Sequence, residues 1–187
     1  SPLPPQKTGE SYYTKRLIFN LLRKERMEIT AIGGLDASPL AYSNIPATTL
    51  PIWNGRDFHY PLKLLRPIRR CRPHIVHVQF GPHGEVYGGL FGEPMLMLLL
   101  LLRLTGIKTT VTLHSTWMIE QVHARVMKYR ILGRCSILAK PVFQIYMKLL
   151  ELSATTVQLS TVKVDSLLKQ KFLEEYRFPE KKVLEIP

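Results

Sequence analysis

Two apolar segments decide the fold, and each ends in a polar loop that contains histidine: His74-Ile75-Val76-His77-Val78-Gln79-Phe80-Gly81-Pro82-His83-Gly84 and Thr109-Thr110-Val111-Thr112-Leu113-His114-Ser115-Thr116-Trp117. Short β-branched segments separated by a helical stretch are typical of buried parallel strands. In open α/β sheets, ligands bind beyond the carboxyl ends of such strands. Because His83 and His114 both follow a predicted strand end, both are candidate ligand-binding residues.

The rest of the chain continues the same alternation of strands and helices. Strands are predicted over residues 27–32, 47–53, 75–79, 107–113, 154–159 and 183–186. Helices are predicted over 10–26, 60–72, 85–104, 117–152 and 162–172, with breaks at Pro67, at Gly88, Gly89, Gly92 and Pro94, and at Gly133 or Pro141. This order predicts the α/β class with a doubly wound parallel sheet. In such a sheet a central strand feeds the first helix, so we expect a strand of about five residues before Ser1.

Composition indicates one globular domain, or half of a larger two-domain protein, because 187 residues with 45% apolar content can bury a core. The 26 Lys and Arg residues outnumber 14 Asp and Glu, and the net charge of +12 favours an anionic partner such as a nucleotide phosphate, nucleic acid or an acidic lipid surface. Cys71 and Cys135 are too few for a disulfide framework or a metal cluster. The expected location is therefore the cytoplasm.

The most apolar stretch of the chain is too short to cross a bilayer. It consists of the eight residues 95–102, whereas a spanning helix needs about 20. We expect a buried helix there, and no secretory signal is evident at the start of the sequence.

The first glycine-containing loop, residues 3–10, is a candidate anion site. Thr8 and Gly9 precede the first predicted helix, where backbone N–H groups and the helix dipole favour a phosphate. The alternative is structural, with Gly9 permitting a tight turn and Glu10 capping the helix. A single glycine satisfies neither a dinucleotide-binding fingerprint nor a P-loop, which disfavours a nucleotide-dependent epimerase or dehydrogenase.

His114 is the strongest candidate for chemistry, because an imidazole at a strand end can donate to a sugar hydroxyl or a phosphate oxygen. Gln79, His83 and Gly84 follow the neighbouring strand and either bind polar substrate groups or brace the loop. His77 lies within a strand, which favours a hydrogen-bonded core histidine. The sequence shows no metal-ligand spacing and no nucleophile elbow, so we expect neither a metal site nor a cofactor.

Two basic stretches remain, over residues 61–74 and 121–150. The second interleaves apolar residues with cations, which is typical of amphipathic helices that lie on an anionic membrane or face a lipid-linked substrate. The alternative is an ordinary solvated helix face. The aromatic residues near these cations have the spacing of a helical core and do not form a stacking platform. Nucleic acid is therefore disfavoured as a partner. The candidate membrane or anion contacts are Arg125, Lys128, Arg130, Arg134 and Lys140.

Several short motifs together resemble one family. They are Pro4-Pro5 with Gly9, Ile75-Val76-His77-Val78-Gln79 with Gly84 and Gly88-Gly89, Val111-Thr112-Leu113-His114, Ala154-Thr155-Thr156-Val157-Gln158-Leu159-Ser160 and Val183-Leu184-Glu185-Ile186-Pro187. This combination resembles the N-terminal, acceptor-side domain of family 4 retaining glycosyltransferases with the GT-B architecture. Thr155 departs from the pattern, because aspartate is common there.

The resemblance implies a single Rossmann-like domain over residues 1–187, the N-terminal half of a GT-B architecture whose C-terminal nucleotide-sugar-binding domain is absent from this chain. It implies sugar transfer from a nucleotide-sugar donor to a glycan or lipid-linked acceptor, with retention of configuration and no obligatory metal. Gly9 and Thr8 would meet the donor diphosphate, and His114 the donor sugar. The acceptor side would be shaped by Gln79, His83, Gly84, Ser115, Thr116 and Glu120.

The family's paired glutamates lie in the second domain, so we expect this chain alone to be inactive. The competing interpretation is a non-catalytic basic α/β module that binds an anionic membrane or nucleic acid. The location would be cytoplasmic, or peripheral at the inner face of the membrane.

Overall fold

In a computed structural model of the chain, the described residues form six parallel strands in two sheets. The structure describes residues 3, 5–6, 8–24, 27–37, 47–81, 84–122, 136–161 and 166–186. The chain divides into two units. The first unit comprises Ser1–Pro73 and His83–Leu98, and the second comprises His74–Pro82 and Leu99–Pro187.

The first unit contains a two-stranded parallel sheet. Its elements are α1 (Gly9–Lys24), β1 (Thr30–Gly34), β2 (Thr48–Trp53), α2 (Tyr60–Cys71), α3 (Gly84–Tyr87) and the first half of α4 (Glu93–Leu104). Leu3, Ile18, Ala31 and Ala37 form one of its buried clusters. Gly33 is required at the end of β1, because a Cβ there would lie 2.6 Å from Leu3 Cδ1.

The second unit contains the four-stranded sheet. Its strands are β3 (Ile75–Phe80), β4 (Lys108–Leu113), β5 (Thr156–Ser160) and β6 (Val183–Ile186), adjacent in that order, and its helices include α5 (Ser136–Ser153) and α6 (Ser166–Tyr176). Consecutive parallel strands with right-handed crossovers place their connecting helices on one face of the sheet. That face is apolar, with Phe80 and Leu113 lining the same cavity as Phe143 of α5 and Phe172 of α6.

The opposite face of this sheet is polar. Side chains alternate along a strand, and partners in parallel register share a face. Gln79 pairs with Thr112, and Thr112 pairs with Gln158. His77 lies on the same face as Gln79, two residues earlier on β3. The two faces of one sheet therefore differ in chemistry.

The predicted strands are all present, but the predicted break at Pro67 is wrong, and Pro141, one of the two positions predicted for the later break, does not interrupt its helix. Pro67 lies inside α2 and Pro141 lies inside α5. A proline removes one N–H donor, but buried neighbours on both sides hold each helix: Leu64 and Ile68 in α2, Ala139 and Phe143 in α5.

Other boundaries follow the glycines. Gly88, Gly89 and Gly92 have φ of 78°, 69° and 83°, and they separate α3 from α4 as predicted. Pro94 does not interrupt a helix, because it is the second residue of α4, where no N–H is needed. The first strand begins at Thr30, later than predicted, and includes both of its glycines. Gly133 lies outside the described residues.

Within the described segments, no helix combines the length and the apolar character needed to cross a bilayer.

Candidate functional site

The candidate site lies at the carboxyl ends of β3 and β4, on the polar face of the second unit. His114 follows β4 directly, and its backbone N–H donates to the carbonyl of Phe80 at 2.9 Å. This bond extends the β3–β4 ladder past the end of β4. The position of His114 is therefore fixed by the sheet.

Gln79 joins two imidazole rings through the two ends of its amide. Its Oε1 lies 2.5 Å from Nε2 of His114, and its Nε2 lies 3.3 Å from Nε2 of His77. A carbonyl oxygen only accepts hydrogen bonds, so Nε2 of His114 carries a proton. Gln79 thereby selects the proton arrangement of His114.

The chain of hydrogen bonds continues across β4 to β5. Oγ1 of Thr112 lies 2.8 Å from Nε2 of His77, and the same hydroxyl donates to Oε1 of Gln158 at 2.8 Å. Five polar side chains, His114, Gln79, His77, Thr112 and Gln158, are thus connected across three strands. We refer to them as the polar chain.

Two members of the polar chain, Gln79 and Thr112, are removed from water, whereas His77 is exposed. Gln79 is 2% exposed and Thr112 is 0% exposed. Part of the His77 side chain reaches solvent, but the ring is desolvated where it meets these groups. Desolvation and, secondarily, the neighbouring His114 lower the pKa of His77 to about 4. His77 is therefore neutral at physiological pH.

The loop after His114 is anchored to the helical side of the sheet. The backbone N–H of Ile119 donates to Glu175 Oε1, and the Tyr176 hydroxyl donates to the carbonyl of Trp117. Trp117 also stacks on Phe143, with ring centroids 6.4 Å apart. These contacts tie the loop to α5 and α6.

Ser115 and Thr116, predicted on the acceptor side, line a small cavity with Phe80, Phe143 and Phe172. Its volume of about 10 Å³ is room for about one water molecule. The cavity is therefore a packing gap and not a substrate pocket. Glu120 is exposed in the same loop.

Thr8 caps the first helix. Its Oγ1 accepts the backbone N–H of Ser11 at 3.1 Å, which is the usual bond of an N-cap side chain. The cap is Thr8 and not Glu10. Gly9 has an ordinary backbone conformation, and a Cβ added there would meet nothing within 4 Å. The surface beside the Gly9 backbone is therefore open.

Gly84 has a packing role in the first unit, because a Cβ there would lie 2.0 Å from the carbonyl oxygen of Gly89. His83, predicted beside it, lies outside the described residues. So do four of the predicted basic contacts: Arg125, Lys128, Arg130 and Arg134. The fifth, Lys140, is exposed on α5.

Sequence reasoning identified His114 and Gln79 but missed the residues that connect them across the sheet. The strand position of His77 predicts a core histidine, whereas the structure exposes it, and the sequence predicts no role for Thr112 or Gln158. One signal could have found them: polar residues recur at every second position, at 77 and 79, 110 and 112, and 156 and 158. This period of two predicts a polar sheet face.

Among the described residues, no group of three or more His, Cys, Asp or Glu side chains could hold a metal ion. Comparison of the chain with protein-family models, curated proteins and solved structures finds no match.

Proposed function

We propose that this chain is the N-terminal, acceptor-side domain of a retaining glycosyltransferase, with a Rossmann-like doubly wound fold that forms half of a GT-B architecture. The observation that carries the proposal is His114, held by Gln79 at the carboxyl end of a parallel sheet. Ligands of open α/β sheets bind at this edge. The sequence motifs quoted above support the same function.

In this proposal, His114 contacts the donor sugar in the ring orientation that Gln79 fixes. No nucleophile is required of His114, because its task is to hold a substrate while charge develops on the leaving group. A C-terminal domain would bind most of the nucleotide-sugar and supply the paired glutamates. The reaction needs neither a cofactor nor a metal ion.

The surface beside Gly9 is open, which supports the proposal that the donor diphosphate binds against the Gly9 backbone. The capping bond assigns Thr8 a structural task as well, since its hydroxyl is already bonded to Ser11. Of the proposed acceptor contacts, Gln79 acts through His114. The exposed Glu120 remains a candidate for direct contact with a glycan or lipid-linked acceptor.

The test is a kinetic comparison in the enzyme that carries the proposed second domain. His114→Ala should lower kcat at least about tenfold with little loss of stability, because it removes a substrate contact from a half-buried position. His74→Ala is the matched control, since His74 is exposed at the opposite end of β3. Unchanged kinetics for His114→Ala would contradict the assignment.

A second experiment tests the need for the second domain. The 187-residue chain alone should transfer no sugar from a panel of nucleotide-sugars. Robust transfer would contradict the proposal that a second domain supplies the donor site and the paired glutamates.

The second candidate function is a non-catalytic module that binds an anionic surface. The net charge of +12 favours it. Binding to oligonucleotides and to anionic vesicles can be compared across salt concentrations, because contacts with a phosphate backbone weaken steeply with salt. The proposed location is cytoplasmic, or peripheral at the inner face of the membrane.

A further inference from the structure

Helix α1 carries aromatic rings and guanidinium groups in one row on its solvent side. Tyr12 and Phe19 are 61% and 45% exposed, and Arg16 and Arg23 are exposed with them. The spacing of four, three and four residues places the four side chains on one side of the helix. The row is about 16 Å long, because each helical residue rises about 1.5 Å. We refer to these four residues as the α1 row.

The α1 row is separate from the side of the helix that packs on the first unit. Ser11, Thr14 and Ile18 are at most 7% exposed, and Ile18 belongs to the buried cluster of that unit. A solvent-facing helix side is normally polar. The rings of Tyr12 and Phe19 therefore depart from this pattern and have no role in the core.

The charge on the side of the α1 row is positive and not neutralised. Lys15 is exposed beside the row, and in the part of the chain that the structure describes neither Lys15, Arg16 nor Arg23 forms an ion pair. Glu10, the single acidic residue of α1, lies four residues before the buried Thr14 and so shares the opposite side of the helix. The row therefore presents two rings and three cations without a carboxylate.

We propose that the α1 row docks an acidic amphipathic helix of another protein. Carboxylates of that helix would pair with Arg16 and Arg23, since a guanidinium binds a carboxylate through two parallel hydrogen bonds. Its apolar side chains would cover the rings of Tyr12 and Phe19. Tyrosine and arginine are enriched among the residues that dominate binding at protein interfaces. The docking surface lies within the first unit and is independent of sugar transfer.

A lipid bilayer is a poorer occupant of the α1 row. A helix that lies in a bilayer interface separates its apolar side from its charged side. In the α1 row, Arg16 lies between Tyr12 and Phe19, so insertion of the two rings would carry its charge among the acyl chains. A protein partner can instead place a carboxylate at this position.

Single-stranded nucleic acid is also a poorer occupant. It binds by stacking bases on the open faces of aromatic rings. The guanidinium of Arg23 lies over the Phe19 ring, 5.4 Å from its centroid, and covers one face. Tyr12 and Phe19 are also about 10 Å apart along the helix axis, with Arg16 between them. The row therefore offers no continuous stacking surface.

The test is fluorescence anisotropy with a labelled helical peptide that carries glutamate and leucine along one side. The wild-type chain should bind this acidic peptide at least about tenfold more tightly than a twin peptide in which glutamine replaces each glutamate. Arg16→Gln with Arg23→Gln should weaken binding of the acidic peptide at least about tenfold, and Tyr12→Ser with Phe19→Ser at least about fivefold.

Two control variants separate the α1 row from general effects of charge and apolar surface. Arg66→Gln with Arg69→Gln removes the same charge from exposed positions on α2. Phe58→Ser with Leu62→Ser removes apolar side chains that are 59% and 53% exposed. Both controls should bind the acidic peptide like the wild type. Circular dichroism and thermal unfolding establish that each variant is folded.

Three results would overturn the proposal. One is equal binding of the acidic peptide and its glutamine twin by the wild-type chain. Another is equal weakening by the α1 variants and by their controls, which would show that only total charge and apolar surface matter. The third is tighter binding of an oligothymidylate or of phosphatidylglycerol vesicles that Tyr12→Ser with Phe19→Ser abolishes, which would make nucleic acid or a bilayer the occupant. None of these results depends on glycosyltransferase activity, so the two proposals can fail separately.

Discussion

Gln79 Oε1 lies 2.5 Å from Nε2 of His114, and this contact assigns the two residues different tasks. Gln79 is 2% exposed, so a substrate meets it less readily than it meets the half-buried His114. The amide nitrogen of Gln79 is directed to His77. Gln79 is therefore a positioning residue that sets the orientation and proton arrangement of the histidine beside it.

Replacing Gln79 should release the His114 ring. In the wild-type chain, the neutral His114 ring should carry its proton on Nε2, because Gln79 presents a carbonyl oxygen to that nitrogen. Gln79→Met keeps an unbranched side chain but removes both polar ends, so the ring should become a mixture of two tautomers. Nitrogen NMR of the labelled imidazoles distinguishes these states. An unchanged Nε2–H signal in the variant would contradict the positioning role.

Acid should destabilise the protein through His77. The pKa of His77 is about 4 in the folded chain and about 6.5 when unfolded. Between these values the unfolded chain binds the extra proton, so stability is lost as pH falls from about 6.5 to about 4. His77→Gln should weaken this dependence of the thermal midpoint on pH. The control is His59→Gln, because the side chain of His59 is 78% exposed. Equal pH profiles for His77→Gln and the wild type would exclude His77 as the source.

Two glycines should respond in different ways to a methyl group. Gly84→Ala places a Cβ 2.0 Å from the carbonyl oxygen of Gly89, and backbone must move to relieve the clash. We expect it to lower the free energy of unfolding by about 1–3 kcal/mol. Gly9→Ala is the matched control, because its Cβ meets nothing within 4 Å. It should change that free energy by less than about 1 kcal/mol.

Chemical denaturation measures both glycine variants. Equal destabilisation by the two substitutions would contradict the assignment of Gly84 to packing. If Gly9→Ala keeps its stability, it can also be used to test donor binding, since a lower affinity would then reflect the blocked surface.

Thr8 should stabilise α1 as its N-cap. Thr8→Ala removes the acceptor of the Ser11 N–H and should lower the free energy of unfolding by about 1 kcal/mol. Thr8→Ser keeps a hydroxyl at this position and should remain within a few tenths of the wild-type value. Denaturant titration of the three proteins checks the order, and identical midpoints would show that the bond contributes nothing to folding.

The sequence predicts those parts of the fold that depend on short stretches of residues, namely the strands and the helix ends at glycines. The β-branched segments around Val76 and Val111 became parallel strands, and the glycines at 88, 89 and 92 separated two helices. Neither Pro67 nor Pro141 interrupts its helix, because a proline removes a single N–H donor, whereas packing along the whole helix determines whether it continues. That packing depends on residues distant in sequence, such as Phe80 and Phe172 around Phe143.

The candidate site was only partly predictable for a related reason. Strand ends identified His114 and Gln79 from the sequence. The contacts of Thr112 with His77 and with Gln158 span 35 and 46 residues. They depend on the register between neighbouring strands, and alternation of residue types excludes a shift by one residue but not a shift by two. Sequence could indicate that this sheet has a polar face, but not which side chains meet on it.

The contrast between the two faces also sets what each strand position tolerates. Val111 and Thr112 are neighbours on β4, both 0% exposed and nearly equal in shape. At Val111, an apolar substitute of the same volume satisfies the core. At Thr112, an isosteric valine would fill the space and still leave His77 and Gln158 without their shared hydroxyl. Substitution is therefore limited by side-chain volume at Val111 and by hydrogen-bonding capacity at Thr112.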